Sequence, residues 1–329
     1  MSIPAAMRGL QQTSLIGPQD LRMIVDLPVP APGFGEVLIR VIAAGVNVAD
    51  LSQAYGNFRG GPQPPYIAGF EGAGEVVAVG EGVTGLSPGA RVIGVGHGAF
   101  AEYMVLPAVA AVPVPQGWSD AQALGLVVNL PTALATLKLG GLARGQTVLV
   151  HAAAGATGQA SVKISKHYGA TVIASASAPK HEVVRALGAD HILDSKNSDI
   201  AAEVLHLTSG GGVDLVLESA GGATFEASLA SAKRVTGKVV VSGLPGGEAT
   251  LSNWDLVYRH QVHVIGFNIG MLIWAAPQLF GEVMDELFGL IGAGVLSPGQ
   301  TTVYPLADGP KVLAALENRS SIGKLGLRP

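Results

Sequence analysis

The segment "TVLVHAAAGATGQASVKISKHYGATVIASASAPK", residues 147–180, decides the fold of the second half of this chain. A short apolar run leads into a glycine-containing turn, a helical segment follows at about residues 158–168, and a second apolar run comes next. Ala152, Gly155 and Gly158 give the turn the spacing Ala-x-x-Gly-x-x-Gly. Gly155 lets the backbone approach a pyrophosphate closely, and Gly158 lets the helix pack near the strand. The segment therefore predicts a dinucleotide-binding turn made of Ala154, Gly155, Ala156, Thr157 and Gly158.

The end of the second apolar run carries no acidic residue. A fold specific for NAD places Asp or Glu there to bind the ribose 2′-hydroxyl group. In this chain Ser175 occupies the expected position, and Ser177 and Lys180 follow closely. Hydroxyl groups and an ammonium group bind a 2′-phosphate that a carboxylate would repel. We therefore predict NADP(H) as the cofactor; the alternative for Lys180 is the solvated first turn of the next helix.

Strand-like and helix-like segments alternate from about residue 147 to residue 266. The apolar runs are "TVLVHAA", "ATVIASAS", "DHILD", "VDLVLESA", "GKVVVSGLP" and "VHVIGFN". This alternation predicts a doubly wound Rossmann domain with a six-stranded parallel sheet. The first 120 residues instead carry short strand-like runs between Gly and Pro, at 36–46, 71–80 and 90–96, which predict a β-rich domain. Helices are expected over 123–141, 274–291 and 307–319, and we expect the tail from Phe267 to pack on the first domain.

Composition narrows the function class. The 329 residues carry a net charge of −4 and no basic block, so a nucleic-acid partner is not expected. Residues 1–10 lack the pattern of a signal peptide, and no apolar run reaches the roughly 20 residues of a membrane span. We expect a soluble cytoplasmic protein with no membrane partner. The absence of cysteine excludes disulfides, thiolate zinc sites and a cysteine nucleophile, and we predict no metal, although carboxylate–histidine sites stay open.

Several ordered motifs resemble the medium-chain dehydrogenase/reductase superfamily, in particular its zinc-free quinone oxidoreductase branch. They include "GEVLIRVIAAGVNVAD", "GFEGAGEVVAVGEGVTGLSPGARV", "HAAAGATGQ", "GGVDLVLESAGG" and "GKLGL", and they span nearly the whole chain. The resemblance implies an α/β protein with a GroES-like β-rich catalytic domain and the Rossmann domain. We predict the boundaries 1–122 for the first part of the catalytic domain, 123–266 for the NADP-binding domain and 267–329 for the C-terminal part of the catalytic domain.

The zinc ligands of the superfamily are missing from this sequence. Zinc enzymes of this superfamily carry a cysteine where Asn47 follows "AAGV", and a histidine where Phe70 stands in "GFE". Without a Lewis acid to stabilise an alkoxide, alcohol oxidation is not expected. The resemblance implies hydride transfer from NADPH to an acceptor that is already electrophilic, a quinone or a small α,β-unsaturated carbonyl. The alternatives are an enoyl thioester reductase and an NADP-binding protein with little turnover.

The resemblance also implies the residues of the site. Asn47 would lie beside the nicotinamide as a catalytic residue, and Tyr55 is the candidate proton donor, because the tyrosine positions of relatives are Ser52 and Phe58 here. A buried tyrosine with a satisfied hydroxyl group is the alternative for Tyr55. The further residues that would border the cofactor are Thr132, Ser219, Ala220, Gly243, Leu244, Phe267, Asn268 and Lys324.

Four other polar residues have a structural interpretation. We expect His97 to be exposed and His151 to be packed. Glu71 is expected to keep a structural role, and Asp50 to hold a turn or orient Asn47. Relatives in this branch commonly pair through the edge strand of the nucleotide domain. An unpaired edge strand favours such pairing, so we expect a homodimer formed through "VHVIGFN" or its neighbour.

Overall fold

A computed structural model of the chain describes residues 3–329. The strands are β1 (Ala6–Gln12), β2 (Leu21–Pro28), β3 (Glu36–Val46), β4 (Tyr66–Ile67), β5 (Glu71–Val79), β6 (Arg91–Val95), β7 (Tyr103–Pro107), β8 (Ala111–Pro113), β9 (Thr147–Val150), β10 (Thr171–Ala176), β11 (His191–Asp194), β12 (Leu215–Glu218), β13 (Lys238–Val241), β14 (His263–Gly266), β15 (Thr302–Pro305) and β16 (Leu325–Arg328). The α-helices are α1 (Val48–Ala54), α2 (Asp120–Ala123), α3 (Asn129–Gly140), α4 (Ala156–His167), α5 (His181–Ala186), α6 (Ile200–Leu207), α7 (Ala223–Ser231), α8 (Ile269–Ala275), α9 (Pro277–Gly292) and α10 (Gly309–Glu317).

The first compact unit extends to Val127 and resumes at Pro298. Its larger sheet joins seven strands of the described chain in the order β15-β16-β3-β5-β6-β8, with β7 also paired to β3, and β2-β1-β4 form a smaller sheet. The long apolar strand β3 is central because it pairs antiparallel with β5, β7 and β16. The core of this unit includes Val37, Ile39 and Phe100, all fully buried. The β-rich first domain expected from the sequence is therefore present.

The second compact unit runs from Val128 to Ser297. Within residues 3–329, six strands form its sheet in the order β11-β10-β9-β12-β13-β14, and all neighbours are parallel. The predicted six-stranded doubly wound sheet is confirmed. The chain order reverses at β9, which pairs with β10 on one side and β12 on the other. The turns that follow β9 and β12 are consequently neighbours at the carboxyl edge of the sheet, where such folds bind ligands.

The structure differs from the predicted helices where glycine and proline interrupt them. The segment 123–141 is not one helix: α2 ends at Ala123 and α3 begins at Asn129, and Gly125 between them adopts a φ of 96° that a helix does not allow. The predicted helix at 274–291 is two helices, and the second begins at Pro277, which is favoured at a first helical position. Gly141, at a φ of 65°, ends α3 as the sequence indicated.

The tail divides differently from the expectation. Residues 267–297 belong to the second compact unit, where α9 packs on α3 and Glu286 accepts hydrogen bonds from Lys138 and Tyr168. Only the part from Pro298 onward joins the first unit, through the pairing of β16 with β3. The units thus divide near residues 127 and 297, whereas the sequence placed the boundaries at 122 and 266.

Helix length and hydropathy give one further observation. Among the helices within residues 3–329, none combines the length and the apolar character needed to cross a membrane.

Candidate functional site

A buried polar cluster lies at the start of α1 in the first unit. The ammonium group of Lys324 donates to Oε2 of Glu71 at 2.6 Å and to Oδ1 of Asn47 at 2.7 Å. The Asn47 amide nitrogen donates to the same Glu71 oxygen at 2.9 Å. The three residues are at most 7% exposed. Because Lys324 supplies only hydrogens and the carboxylate only accepts them, the two partners fix the orientation of the Asn47 amide.

Backbone geometry holds the Glu71 carboxylate in place. Its second oxygen, Oε1, accepts the backbone N–H of Gly125 at 2.6 Å. A Cβ atom at Gly45 would overlap the Glu71 carboxylate, so only glycine fits opposite it on β3. The sequence predicted a structural role for Glu71, and these contacts confirm it: the side chain is the anion that balances Lys324.

Asp50 supports Asn47 from within α1. One carboxylate oxygen accepts the backbone N–H of Asn47 at 2.7 Å, which confirms that Asp50 holds the turn that carries Asn47. The other oxygen, Oδ1, is buried and has no hydrogen-bond partner among the described residues. Burial raises the pKa of Asp50 to about 7, against the opposing effects of the Asn47 N–H and the Lys324 charge. The negative charge of Glu71 adds to the increase. Asp50 is therefore a carboxyl group that titrates near neutral pH.

These residues do not suit a divalent cation. A zinc site needs three or four thiolate, imidazole or carboxylate ligands, and here Asn47 and Phe70 occupy the two positions that the sequence comparison assigned to ligands. The Glu71 carboxylate is already engaged by the Lys324 ammonium group. A cation beside Glu71 would have to displace that ammonium group or be repelled by it. The donor set therefore disagrees with the zinc chemistry of the superfamily.

The structure gives Tyr55 a partner other than Asn47. Its hydroxyl group donates to Oε1 of Glu317 at 2.7 Å, and this bond raises the pKa of Tyr55. Ser52 bonds weakly to the Val48 carbonyl within α1, and Phe58 is exposed. The hydroxyl hydrogen of Tyr55 is thus directed at a carboxylate on α10, which does not favour Tyr55 as the proton donor.

In the second unit, the glycine turn connects β9 to α4. The helix begins at Ala156, with Gly155 before it, and the Gly155 N–H donates to the Ala152 carbonyl at 2.9 Å. Ala152 itself adopts a φ of 50°. A Cβ atom at Gly158 would overlap the Ala152 carbonyl oxygen and come within 2.6 Å of the Cα of Ala153. The turn is therefore tight, and the first N–H groups of α4, which have no partner within the helix, are directed out of its N-terminus.

Ser175 does not have the exposure that the sequence interpretation required. Its side chain is 1% exposed, and Oγ lies 2.9 Å from Nδ1 of His151. Ala176, the last residue of β10, is buried as well, at 4% exposure. The burial of Ser175 and its contact with His151 therefore do not favour it as a 2′-phosphate ligand. The end of β10 still carries no carboxylate that would bind the ribose 2′-hydroxyl group of NAD, because neither Ser175 nor Ala176 is acidic.

Ser177 and Lys180 follow β10 and are partly exposed. Partial burial lowers the pKa of Lys180, and the nearby charge of Lys196 lowers it further. Lys196 comes just after β11, the parallel neighbour of β10, so the two segments meet at one edge of the sheet. Sequence reasoning missed Lys196; the signal was its place directly after an apolar run. Two neighbouring ammonium groups favour an anion beside them.

The other residues predicted to border the cofactor also lie at the carboxyl edge of this sheet. Ser219 and Ala220 follow β12, Gly243 and Leu244 follow β13, and Phe267 and Asn268 follow β14. Two of the predicted side chains are engaged locally. Asn268 caps α8 by accepting the Met271 N–H at 3.1 Å. The Thr132 hydroxyl group bonds to the Val128 carbonyl within α3, and Asn129, which the sequence did not single out, donates to Thr157 at 3.1 Å.

Comparisons with known proteins match both units. The family model for the alcohol dehydrogenase GroES-like domain matches residues 33–116, and that for zinc-binding dehydrogenase matches residues 156–288. The chain is 37% identical over 307 residues to erythronolide synthase EryA2 of Saccharopolyspora erythraea, covering 92% of this chain but only 8% of that protein's length. It is 33% identical over 319 residues to the synaptic vesicle membrane protein VAT-1 homolog of Rattus norvegicus, covering 91% of this chain and 78% of that protein.

Solved structures are similar over almost the whole chain. Mycobacterial Rv1454c complexed with NADPH superimposes with a TM-score of 0.91 at 32% identity, over 98% of this chain and 100% of that one. The quinone oxidoreductase of Escherichia coli complexed with NADPH has a TM-score of 0.91 at 27% identity, with the same coverage. The CurK enoyl reductase has a TM-score of 0.88 at 28% identity, over 98% of this chain and 99% of that one.

Proposed function

Because the chain belongs to the medium-chain dehydrogenase/reductase superfamily, in its quinone oxidoreductase branch, we propose that it is an NADPH-dependent reductase of quinones or small α,β-unsaturated carbonyl compounds. The observation that carries the choice of acceptor is the Lys324 ammonium group held between Asn47 and Glu71. NADPH supplies a hydride when bound. A lysine–glutamate pair stands where zinc enzymes of the superfamily hold their metal, so no Lewis acid stabilises the substrate oxygen. The acceptor itself therefore has to delocalise the negative charge that arrives with the hydride.

The second unit supplies the proposed cofactor contacts. The turn 154–158 and the N-terminus of α4 hold the pyrophosphate through backbone N–H groups. Ser177, Lys180 and Lys196 hold the 2′-phosphate, in place of the Ser175 contact expected from the sequence. The remaining strand-end residues, Ser219, Ala220, Gly243, Leu244, Phe267 and Asn268, line the same edge. Asn47 and Lys324 stay the proposed residues at the nicotinamide, and Thr132 a proposed contact of the ribose or phosphates.

The engagement of Tyr55 supports a quinone over an enoyl thioester. Reduction of an alkene adds a proton to carbon, a step that a positioned acid accelerates by about 10²-fold or more. A reduced quinone oxygen exchanges protons with solvent and needs no such acid. Tyr55 is bonded to Glu317, and Ser52 and Phe58 stand at the tyrosine positions of relatives. This arrangement offers no tyrosine placed to donate a proton to the substrate carbon. We therefore expect quinones to be the better acceptors.

An acceptor screen at fixed NADPH tests this proposal. Loss of NADPH absorbance is followed with benzoquinone, phenanthrenequinone, small enones and crotonyl-CoA. We expect kcat/KM for a quinone to exceed that for crotonyl-CoA by about 10²-fold. The reverse order would support the enoyl thioester reductase, which the likeness to the CurK enoyl reductase favours as second candidate. NADPH binding without turnover of any acceptor would support an NADP-binding protein with little turnover.

A second experiment tests the 2′-phosphate contacts. Lys180→Met keeps the aliphatic stem and removes the positive charge that would face the 2′-phosphate, whose own charge is about −1.5 to −2. At about 4 Å in water this charge pair contributes about 1.5–2 kcal/mol, so KM for NADPH should rise about 10–30-fold while KM for NADH changes less than about twofold. Lys311→Met is the matched control, because Lys311 is exposed and paired with Asp308 in the first unit. Equal effects on both cofactors would remove Lys180 from the site.

The edge of the parallel sheet supports the proposed homodimer. β14 is the last strand in the sheet order, and Val264 on it is 38% exposed. Two large aromatic side chains of the same unit, Trp254 and Trp274, are also exposed. We expect Val264→Lys to lower the mass measured by light scattering to that of a monomer, because an edge lysine opposes strand pairing. Val25→Lys, on the edge strand β2 of the first unit, is the control that should leave the mass unchanged.

A further inference from the structure

A chain of four buried polar side chains lies beneath the glycine turn in the second unit. Nδ1 of His151 is 2.9 Å from Oγ of Ser175, and Nε2 is 3.1 Å from Oγ of Ser228. The Ser228 hydroxyl group donates to Oε2 of Glu218 at 2.5 Å. All four residues are at most 2% exposed. The chain links β9, β10, β12 and α7 across the apolar interior of the unit.

The hydrogens of this chain have one consistent arrangement. The Ser228 hydroxyl group has a single hydrogen and two pure acceptors within reach, the Glu218 carboxylate and the Thr224 carbonyl at 2.9 Å. Whichever of them takes the hydrogen, Ser228 Oγ can bond to His151 only as an acceptor, so Nε2 carries a hydrogen. Burial lowers the pKa of His151, against the opposing charge of Glu218, and the ring is neutral. Nδ1 is then an acceptor, and the Ser175 hydroxyl group donates to it.

The chain joins the two turns at the reversal point of the sheet. Oε1 of Glu218 accepts the backbone N–H groups of Ala220 at 2.6 Å and Gly221 at 2.7 Å, which shapes the turn after β12. At the other end, the Ala153 N–H donates to the Ser175 carbonyl at 3.0 Å, and His151 is the first residue after β9. One network therefore holds both backbone segments that border the proposed pyrophosphate site.

A buried polar network of this kind has a cost in free energy. Polar groups in an apolar core cost desolvation free energy that packed hydrophobic side chains of similar volume do not. Their contribution is geometric, because each hydrogen bond has a defined length and direction.

We propose that His151 and Ser228 are positioning residues for the dinucleotide, and that the chain from Glu218 to Ser175 sets the spacing of the two turns that receive its pyrophosphate. The proposal rests on the proposed NADPH binding. Neither side chain has to touch the cofactor. They act through the backbone at Ala153 and Ala220, and their loss should affect binding of the pyrophosphate more than the chemical step.

Ser228→Ala tests the proposal, with Ser231→Ala as its matched control. Both serines are fully buried on α7, but the Ser231 hydroxyl group donates to the Ala227 carbonyl of its own helix, at 2.7 Å, and has no part in the network. We expect Ser228→Ala to raise the Kd for NADPH, measured by fluorescence, about tenfold through two lost hydrogen bonds, with kcat at saturating NADPH within about twofold. Ser231→Ala should change the Kd less than about twofold.

A second ligand separates positioning from general destabilisation. Adenosine 2′-monophosphate has the 2′-phosphate but no 5′-phosphate to enter the pyrophosphate site, so its Kd should be nearly unaffected by Ser228→Ala. Equal loss of both ligands, or no loss of NADPH, would overturn the proposal. If the wild-type protein itself failed to bind NADPH, the proposed function would fail instead.

The tautomer of His151 gives a test that needs no variant of the network. Ring nitrogen chemical shifts from NMR of the wild-type protein, assigned with His151→Gln, should show a neutral ring protonated at Nε2. A ring protonated at Nδ1, or one that titrates as an exposed histidine does, would contradict the arrangement of hydrogens and the proposal with it.

Discussion

Breaking the Lys324–Glu71 pair should destabilise the first unit strongly. The two side chains are 6% and 0% exposed and their charges are 2.6 Å apart. Lys324→Met removes the positive charge and leaves the Glu71 carboxylate with two neutral donors, the backbone N–H of Gly125 and the side-chain amide of Asn47. Breaking a buried pair in this way costs about 3–5 kcal/mol. For a unit of this size the expected loss in Tm is about 6–20 °C.

The assay has to report on the first unit alone, because the two compact units need not unfold together. Amide hydrogen exchange in urea, read from peptides of β3 and β5, gives the free energy of unfolding there. The exposed pair of Arg8 and Glu102, whose side chains are 56% and 30% exposed, provides the control. Arg8→Met should cost less than about 1 kcal/mol.

A double variant tests the physical reason. Lys324→Met combined with Glu71→Gln leaves no unpaired buried charge, so it should recover at least half of the lost stability. If Lys324→Met cost no more than Arg8→Met, or if the double variant were less stable than Lys324→Met, the account of the cluster as a compensated charge pair would be refuted.

Three further predictions concern single positions. The pKa of Asp50 is about 7 in the folded state, against an ordinary value of 3.8, so the folded state holds an extra proton between these values. The free energy of unfolding should therefore rise by on the order of 4 kcal/mol as pH falls from 7 to 4, and Asp50→Asn should abolish that rise in urea titrations. Gly158→Ala should lower Tm and weaken NADPH binding, since its Cβ atom would overlap the Ala152 carbonyl. Gly289→Ala, in open space within α9, should leave NADPH binding unchanged and raise Tm slightly, because alanine favours a helix more than glycine does. Tyr55→Phe should keep kcat within about twofold in the quinone assay, and a loss above about 10²-fold would restore Tyr55 as the proton donor.

The burial of Ser175 against His151 could not be predicted from the sequence. The apolar run of β10 and the glycine turn before it were readable, because period, length and glycine spacing are local properties. The exposure of single residues was not readable in this way, because Ser175 and Ala176 lie on opposite faces of the sheet and both are buried. The His151 partner of Ser175 lies 24 residues away, and only the parallel pairing of β9 with β10 brings them together.

The sequence by itself determined the architecture of this protein: a β-rich unit, a six-stranded parallel sheet, a dinucleotide turn and the absence of cysteine ligands follow from local hydrophobic patterns and residue counts. Only the tertiary structure decided which charges are compensated. Lys324 reaches Glu71 across 253 positions because β16 pairs with β3 and β3 pairs with β5, and no local pattern encodes that meeting. Buried charges are tolerated only beside a partner, and the partner is chosen by how strands pair over long distances in the chain.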